Sequence, residues 1–338
     1  MCGKVGERMK RIIAAALAWT ALTGIPAASA ADKLNMMIPT KALSLAPILV
    51  AVDGDAFKKR GIDMTLTEVQ GGTLPLTAMI AGDAQFASLA DDGFMAMVGT
   101  GKLICVYVNT NSFTQNLQVR NPFLEAHHVT FDIPWQERVR RMKGITMGVL
   151  ALGGSSDLAG RWLWHEAGLD YKTDMTIVRV GALPSLVASL KQGASDGFVL
   201  SSPAAEILEQ QGIGKAAVRF DEVAQWKDEP FETLEVLRDY LTTHKDLVRR
   251  VVAGIAEGQQ LIYDHPAEAA AILHKGSYSS LDEKLLADSL KSLHAAFRQE
   301  KLSDARWKEA VAVHAASNPQ VADVRFKEGV DWTNEYYP

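Results

Sequence analysis

The sequence predicts an α/β fold built as two lobes, on three observations. Short runs of β type alternate with longer runs of helical period, a strand-helix-strand-helix-strand order occurs twice, and from about Leu234 onward the pattern turns helical.

The elements follow in order. Leu34 to Ile38 reads as the first strand, stopped by Pro39-Thr40-Lys41. Leu45, Ile48, Leu49 and Val52 have helical spacing, and Arg60-Gly61 supplies the stop. Ile62 to Val69 alternates as a half-buried strand, Gln70-Gly71-Gly72-Thr73 turns the chain into a short helix ending at Gly82, and Gln85 to Leu89 is the third strand. The same order returns with a strand over Ile145 to Leu150, a Gly153-Gly154-Ser155-Ser156 loop and a helix from Asp157 to Ala167. Met175 to Val180, a short helix ending at Gly193, and a strand over Asp196 to Leu200 complete it. Thr233 to Leu237 is a further strand. Asp246 to Ile262, Pro266 to His274, Asp282 to Phe297 and Asp304 to Ala316 read as successive helices, with Pro266 in a first turn where its missing N–H costs nothing. No long linker interrupts the chain, so short crossovers are expected near Ser112 to Leu117 and Arg219 to Pro230. These divide it into residues 31–115 plus 225–338 as one lobe and 116–224 as the other.

At the N-terminus, Lys4, Arg8, Lys10 and Arg11 precede an apolar stretch from Ile12 to Leu22 and the small-residue exit Ala28-Ser29-Ala30. That is the pattern of a signal peptide, residues 1–30, cleaved after Ala30; the apolar stretch is well short of the roughly 20 residues that span a bilayer. Cys2 would leave with it, so Cys105 would be the one thiol, no disulfide would form, and stability must come from the core. No Cys follows the cleavage point to carry a lipid, so the expected location is a periplasm. The net charge of −5 becomes −8 without the basic leader, which disfavours a nucleic-acid partner.

A set of short motifs then stands in order: Leu45-Ala46-Pro47-Ile48, Phe57-Lys58-Lys59-Arg60-Gly61-Ile62-Asp63, Met79-x-x-Gly82-Asp83-Ala84-Gln85-Phe86, Met142-Lys143-Gly144, Glu166-Ala167-Gly168-Leu169-Asp170 and Leu190-x-x-Gly193-x-x-Asp196. From about Leu34 to His274 this resembles the nitrate/sulfonate/taurine solute-binding proteins of ATP-binding-cassette importers, which include binders of thiamine-pyrimidine precursors and of aromatic carboxylates. The resemblance implies a type II-like periplasmic binding protein fold, with ligand in a cleft between hinged lobes that close on it. It also implies a monomer that delivers a small organic anion to a membrane permease and its ATPase, without catalysis or cofactor. A sensor that binds without transport, and an enzyme related to thiamine-pyrimidine synthase, are the other functions compatible with the resemblance. The stretch Arg120 to Arg141, with His127-His128 and Trp135, departs from the pattern, as does Ser201-Ser202-Pro203 after the Asp196-type strand.

In an open α/β lobe, ligands sit beyond the carboxyl ends of strands, where helix N-termini offer free N–H groups. The candidate contacts at that level are Thr40, Lys41 and Ser44 after the first strand, Gly72 and Thr73 after the second, Asp91 and Asp92 after the third, and Asn109 after the next run. In the second lobe they are Gly154, Ser155, Ser156, Ser201 and Ser202. Gly154-Ser155-Ser156 would receive a carboxylate or sulfonate, and Asp91-Asp92 an amine or hydroxyl. Each set would equally serve as an ordinary helix cap. Gly193-Ala194-Ser195-Asp196-Gly197 spells a nucleophile elbow, but helix precedes and strand follows, the reverse of what an elbow needs. His127-His128 lack a second ligand pair at metal-site spacing, so no metal is expected. The run Arg138, Arg140, Arg141 and Lys143 reads as a solvated helix face, and Trp162 and Trp164 as core.

Overall fold

The computed structural model describes residues 30–69 and 74–338; residues 1–29, where the signal peptide is expected, and Gly72 and Thr73 lie outside the described residues. Ten strands form two five-stranded sheets. The first sheet contains β1 (Asp32–Ile38), β2 (Ile62–Glu68), β3 (Phe86–Ala90), β4 (Leu103–Thr110) and β10 (Glu232–Leu237), in the order β2-β1-β3-β10-β4. The second contains β5 (Gln115–Arg120), β6 (Ile145–Val149), β7 (Met175–Arg179), β8 (Gly197–Ser201) and β9 (Gly214–Arg219), in the order β7-β6-β8-β5-β9. In each sheet three parallel strands carry the repeated pattern, and a fourth strand, β10 or β5, runs antiparallel beside them. β5 follows β4 in the chain but pairs in the other sheet, and β10 returns after β9, so the chain crosses between sheets twice.

The direction of β5 and β10 decides where the site lies. Because they run against their neighbours, they begin where the parallel strands end: Gln115 pairs with Ser201 at the end of β8, and Glu232 with Ala90 at the end of β3. Each of these strand starts therefore lies at the level where the parallel strands of its own sheet end.

The first crossover is shorter than the sequence suggests, whereas the second lies within a residue of its expected span. β4 ends at Thr110 and β5 starts at Gln115, so Gln115 to Leu117 belong to the second sheet, and Phe231 directly precedes β10. Their aromatic side chains knit them together: the Phe113 ring lies 4.7 Å from Phe220, 4.2 Å from Trp226 and 4.5 Å from Phe231. The C-terminal region holds the first crossover, since the Asn111 amide N–H donates to Ala296, its Nδ2 donates to the Arg298 carbonyl, and its Oδ1 accepts from Arg306 at 2.8 Å.

Three further local features differ from the expectation. The first helix stops early, covering Ala46–Asp53, and Gly54 caps it before a tight turn at Lys58–Arg60. The Ser155–Glu166 helix starts two residues sooner than Asp157, with Gly154 as its extended N-cap. Arg138 is not solvated: it is buried, donating to the Ala217 carbonyl at 2.8 Å and pairing with Glu222, whereas Arg140 and Lys143 are open. Around it, Arg120 to Arg141 folds as helices Asn121–Ala126 and Trp135–Arg141, with His127 stacked on Phe123 and Trp135 on Trp162. Trp162 and Trp164 are core residues of this lobe. Asp196 closes no elbow; its carboxylate accepts from Arg120 and from the Thr146 amide.

Candidate functional site

Between the ends of the two sheets lies a cavity of about 190 Å³. Its two walls differ in chemistry, and each follows from how a helix or strand begins.

The first wall is the N-terminus of the Ser155–Glu166 helix. An α-helix leaves its first N–H groups without intrahelical acceptors, and those of Ser155 and Ser156 meet no acceptor among the described residues. The loop before them is fixed by Asp157, which accepts from the Gly153 amide at 2.7 Å and pairs with Arg161 at 2.6 Å. Gly153 takes φ 74°, a conformation open to glycine at little cost. Ser155 Oγ accepts from Gln115 Nε2 at 2.8 Å, which leaves its own proton free to donate. Ser156 Oγ accepts from the Leu150 amide at 3.4 Å. This wall presents donors and the positive end of a helix dipole.

The second wall is acidic. Asp92, in the first turn of the Asp91–Val98 helix, and Glu232, the first residue of β10, are both buried and both line the cavity. Burial, reinforced by the neighbouring Asp91 charge, pushes Asp92 up to about 7. Burial, with the charges of Asp92 and Asp91, pushes Glu232 up to about 8, although Ser44 Oγ donates to it at 2.9 Å. Between the walls the lining is apolar, from Val69, Leu89, Met97, Leu150 and Leu200 among others.

Of the residues proposed from the sequence, Thr40, Ser44, Asp92, Gly154, Ser155, Ser156 and Ser201 line this cavity. Four others stand elsewhere. Lys41 is exposed, and its carbonyl accepts from Tyr278. Asn109 is buried within the first sheet, near the end of β4, and donates to Ser88 Oγ at 2.7 Å. Ser202 gives its carbonyl to the Leu43 amide at 2.8 Å, an interlobe contact beside the cavity. Asp91 turns the other way into a buried cluster: His314 Nε2 sits 3.0 Å from Asp91 Oδ2 and 2.7 Å from Glu229 Oε1. Burial pushes the Glu229 carboxyl well up, whereas the two carboxylates overcome burial and raise the imidazole, so the cluster carries its own cation. The sequence reading missed Gln115 and Glu232, because both stand at strand starts close to the segments taken for crossovers.

The family model of the NMT1-like family matches residues 38–274, most of the chain and both sheets. The chain belongs to the NMT1-like family. Its fold is that of periplasmic binding proteins, as three solved structures show. A protein of Bordetella bronchiseptica RB50 shares 20% identity and a TM-score of 0.75, over 90% of this chain and 95% of that one. The periplasmic nitrate-binding protein of Synechocystis PCC 6803 shares 17% and 0.64, over 81% and 74%. The periplasmic aliphatic sulphonate binding protein of Escherichia coli shares 16% and 0.61, over 86% of each. A search of curated proteins gives no match. Among the described residues, no helix is long and apolar enough to cross a membrane.

Proposed function

We propose that this NMT1-like protein captures a small organic solute outside the inner membrane and hands it to the permease and ATPase of an importer. The lobes 31–115 plus 225–338 and 116–224 would close over the solute about the two crossovers. The nitrate- and sulphonate-binding neighbours support this reading, and the observation that carries it is the cavity between the sheets, with free helix N–H groups on one wall and carboxyls on the other. An anionic group, carboxylate or sulfonate, fits against Ser155 and Ser156. A zwitterion such as an aminosulfonate also uses Asp92 and Glu232, while an aromatic carboxylate uses the first wall and the apolar lining. A second reading, a neutral pyrimidine of the thiamine-precursor type held at the acidic wall, draws support from the absence of Lys, Arg and His among the described residues that line the cavity.

A thermal-shift screen over these three classes separates the readings. Ligand at 100 times its Kd stabilises by about 2.7 kcal/mol. Failure of every class to shift the melt would remove the solute-binding reading itself. For an anionic ligand, Ser155→Ala with Ser156→Ala is expected to weaken binding by the two lost hydroxyl donors, on the order of 1–2 kcal/mol or roughly 5- to 30-fold, while the backbone N–H groups and the helix dipole stay in place. Isothermal titration measures this, and unchanged affinity would place the anion elsewhere.

A further inference from the structure

The cavity has a feature that a merely polar pocket lacks. Asp92 Oδ1, Glu232 Oε2 and Gln115 Oε1 are all buried without a hydrogen-bond partner, and all three residues line the cavity. Their residues are 5%, 3% and 4% exposed, and they come from separate elements: the Asp91–Val98 helix, β10 and β5. Leaving buried acceptors unpaired is costly, so three such acceptors around one cavity call for an occupant that donates. Two of the three are carboxyl oxygens, and among the described residues no basic side chain lines the cavity to balance them. A hydroxyl supplies one proton and no charge; an ammonium or amidinium supplies several N–H donors and the missing charge.

We propose that Asp92, Glu232 and Gln115 form a recognition subsite for an ammonium or amidinium group on the ligand, and that a proton held by the empty carboxyl pair passes to solvent when that group enters. The proposal rests on the cavity being a solute site. The exchange balances as one carboxylic O–H broken, its proton taken by water or buffer, and the cation left against the carboxylate.

The surroundings favour a stored proton. Asp92 faces Asp91, which raises it, and His314 of the Asp304–Ala315 helix, which lowers it. Glu232 faces Asp92 and Asp91, and Glu235, further along β10, is raised by burial and by Glu232. Glu229, in the second crossover, is engaged with His314. His314 is the cationic group that acts on Asp92, and its imidazole already lies between Asp91 and Glu229.

Matched probes test the subsite: 2-aminoethanesulfonate against 2-hydroxyethanesulfonate, and benzylammonium and benzamidine against benzyl alcohol. Each is titrated calorimetrically in buffers of different ionisation heat. The cationic members should bind at least tenfold more tightly than their hydroxyl partners and release protons. Their affinity should fall at least tenfold from pH 8.5 to pH 6, the limit being about tenfold per pH unit per proton. Glu232→Gln and Asp92→Asn should each reduce the preference and flatten the pH profile. Hydroxyl partners that bind as well, or cations that bind without proton release, overturn the subsite while leaving the solute-binding reading in place. Absence of binding by every cationic probe overturns it as well.

The stored proton has a readout that needs no ligand. The carboxyl of Glu232 goes from its ordinary value of 4.5 to about 8 on folding, so the folded chain keeps a proton the unfolded chain releases between those values. Stability from this group is therefore lost as pH rises through that window. The Tm of wild type should fall behind that of Glu232→Gln from pH 5 to pH 8, and parallel melts across that range would overturn the stored proton.

Discussion

Replacing His314 by alanine should destabilise the protein by about 3–5 kcal/mol, the cost of breaking a buried ion pair from one side. The imidazole Nε2 stands between two buried carboxylates, at 3.0 Å from Asp91 and 2.7 Å from Glu229. Without it both must be neutralised, or must remain charged side by side with no cation. The loss should grow with pH. In the variant the folded carboxyls hold protons that the unfolded chain releases above the ordinary range near 4.5, so stability drains away as pH rises from there. In wild type the imidazole, raised well above 6.5, keeps its contribution below 6.5 and loses it as pH climbs through the raised value. Urea unfolding at pH 5 and pH 7.5 measures both. A deficit below 1 kcal/mol, or one equal at the two pH values, would show that the cluster is not an ion pair. Because Glu229 belongs to the second crossover and Asp91 adjoins Asp92, the variant should also weaken ligand affinity.

How much of this was legible in the sequence follows from which signals are local. Periodicity and glycine stops located the repeated strands because each has its own alternating or apolar run; Ile62 to Glu68 and Gly197 to Ser201 emerge within a residue or two. The Ser155-Ser156 helix start was visible because glycine followed by hydroxyl residues marks a helix N-terminus. β5 was hidden, since Gln115-Asn116-Leu117-Gln118 is too polar to read as a buried strand, and its polar side chains are paid for only by distant partners such as the Leu200 carbonyl at 2.9 Å. Glu232 was hidden for a related reason: a glutamate opening a strand looks solvated, and only its pairing opposite Ala90 brings it into the cavity. Asp91 and Asp92 are adjacent and chemically alike, yet a helix turns successive side chains about 100° apart. One faces the cavity and the other His314, more than two hundred residues along the chain.

Gly258→Val should be the second severe substitution, with a loss of at least about 3 kcal/mol, above the usual 1–3 kcal/mol for overpacking. The Lys245–Asp264 helix lies across the Ala46–Asp53 helix at Gly258, where a Cβ would stand 2.3 Å from the Pro47 carbonyl oxygen and 3.2 Å from the Ala51 nitrogen. Both atoms are backbone, so no rotamer change relieves the clash, and one helix must move. One turn earlier on the same face, Gly254 is closed by the Phe57 ring at 2.8 Å, so the whole seam is set for close approach. Gly99→Ala is the control: nothing lies within 4 Å of its added Cβ and its φ is −61°, so its effect should stay within about 0.5 kcal/mol. Urea titrations of the three proteins decide the matter, and a Gly258→Val loss no larger than that of Gly99→Ala would mean the seam is loose. The consequence reaches the cavity. Ser44 precedes the Ala46–Asp53 helix by two residues and donates to Glu232, so a displaced helix pulls Ser44 from the carboxyl it supports. Loss of that donor removes an interaction that favours the ionised form of Glu232, raising its carboxyl further and weakening the hold on a cationic ligand.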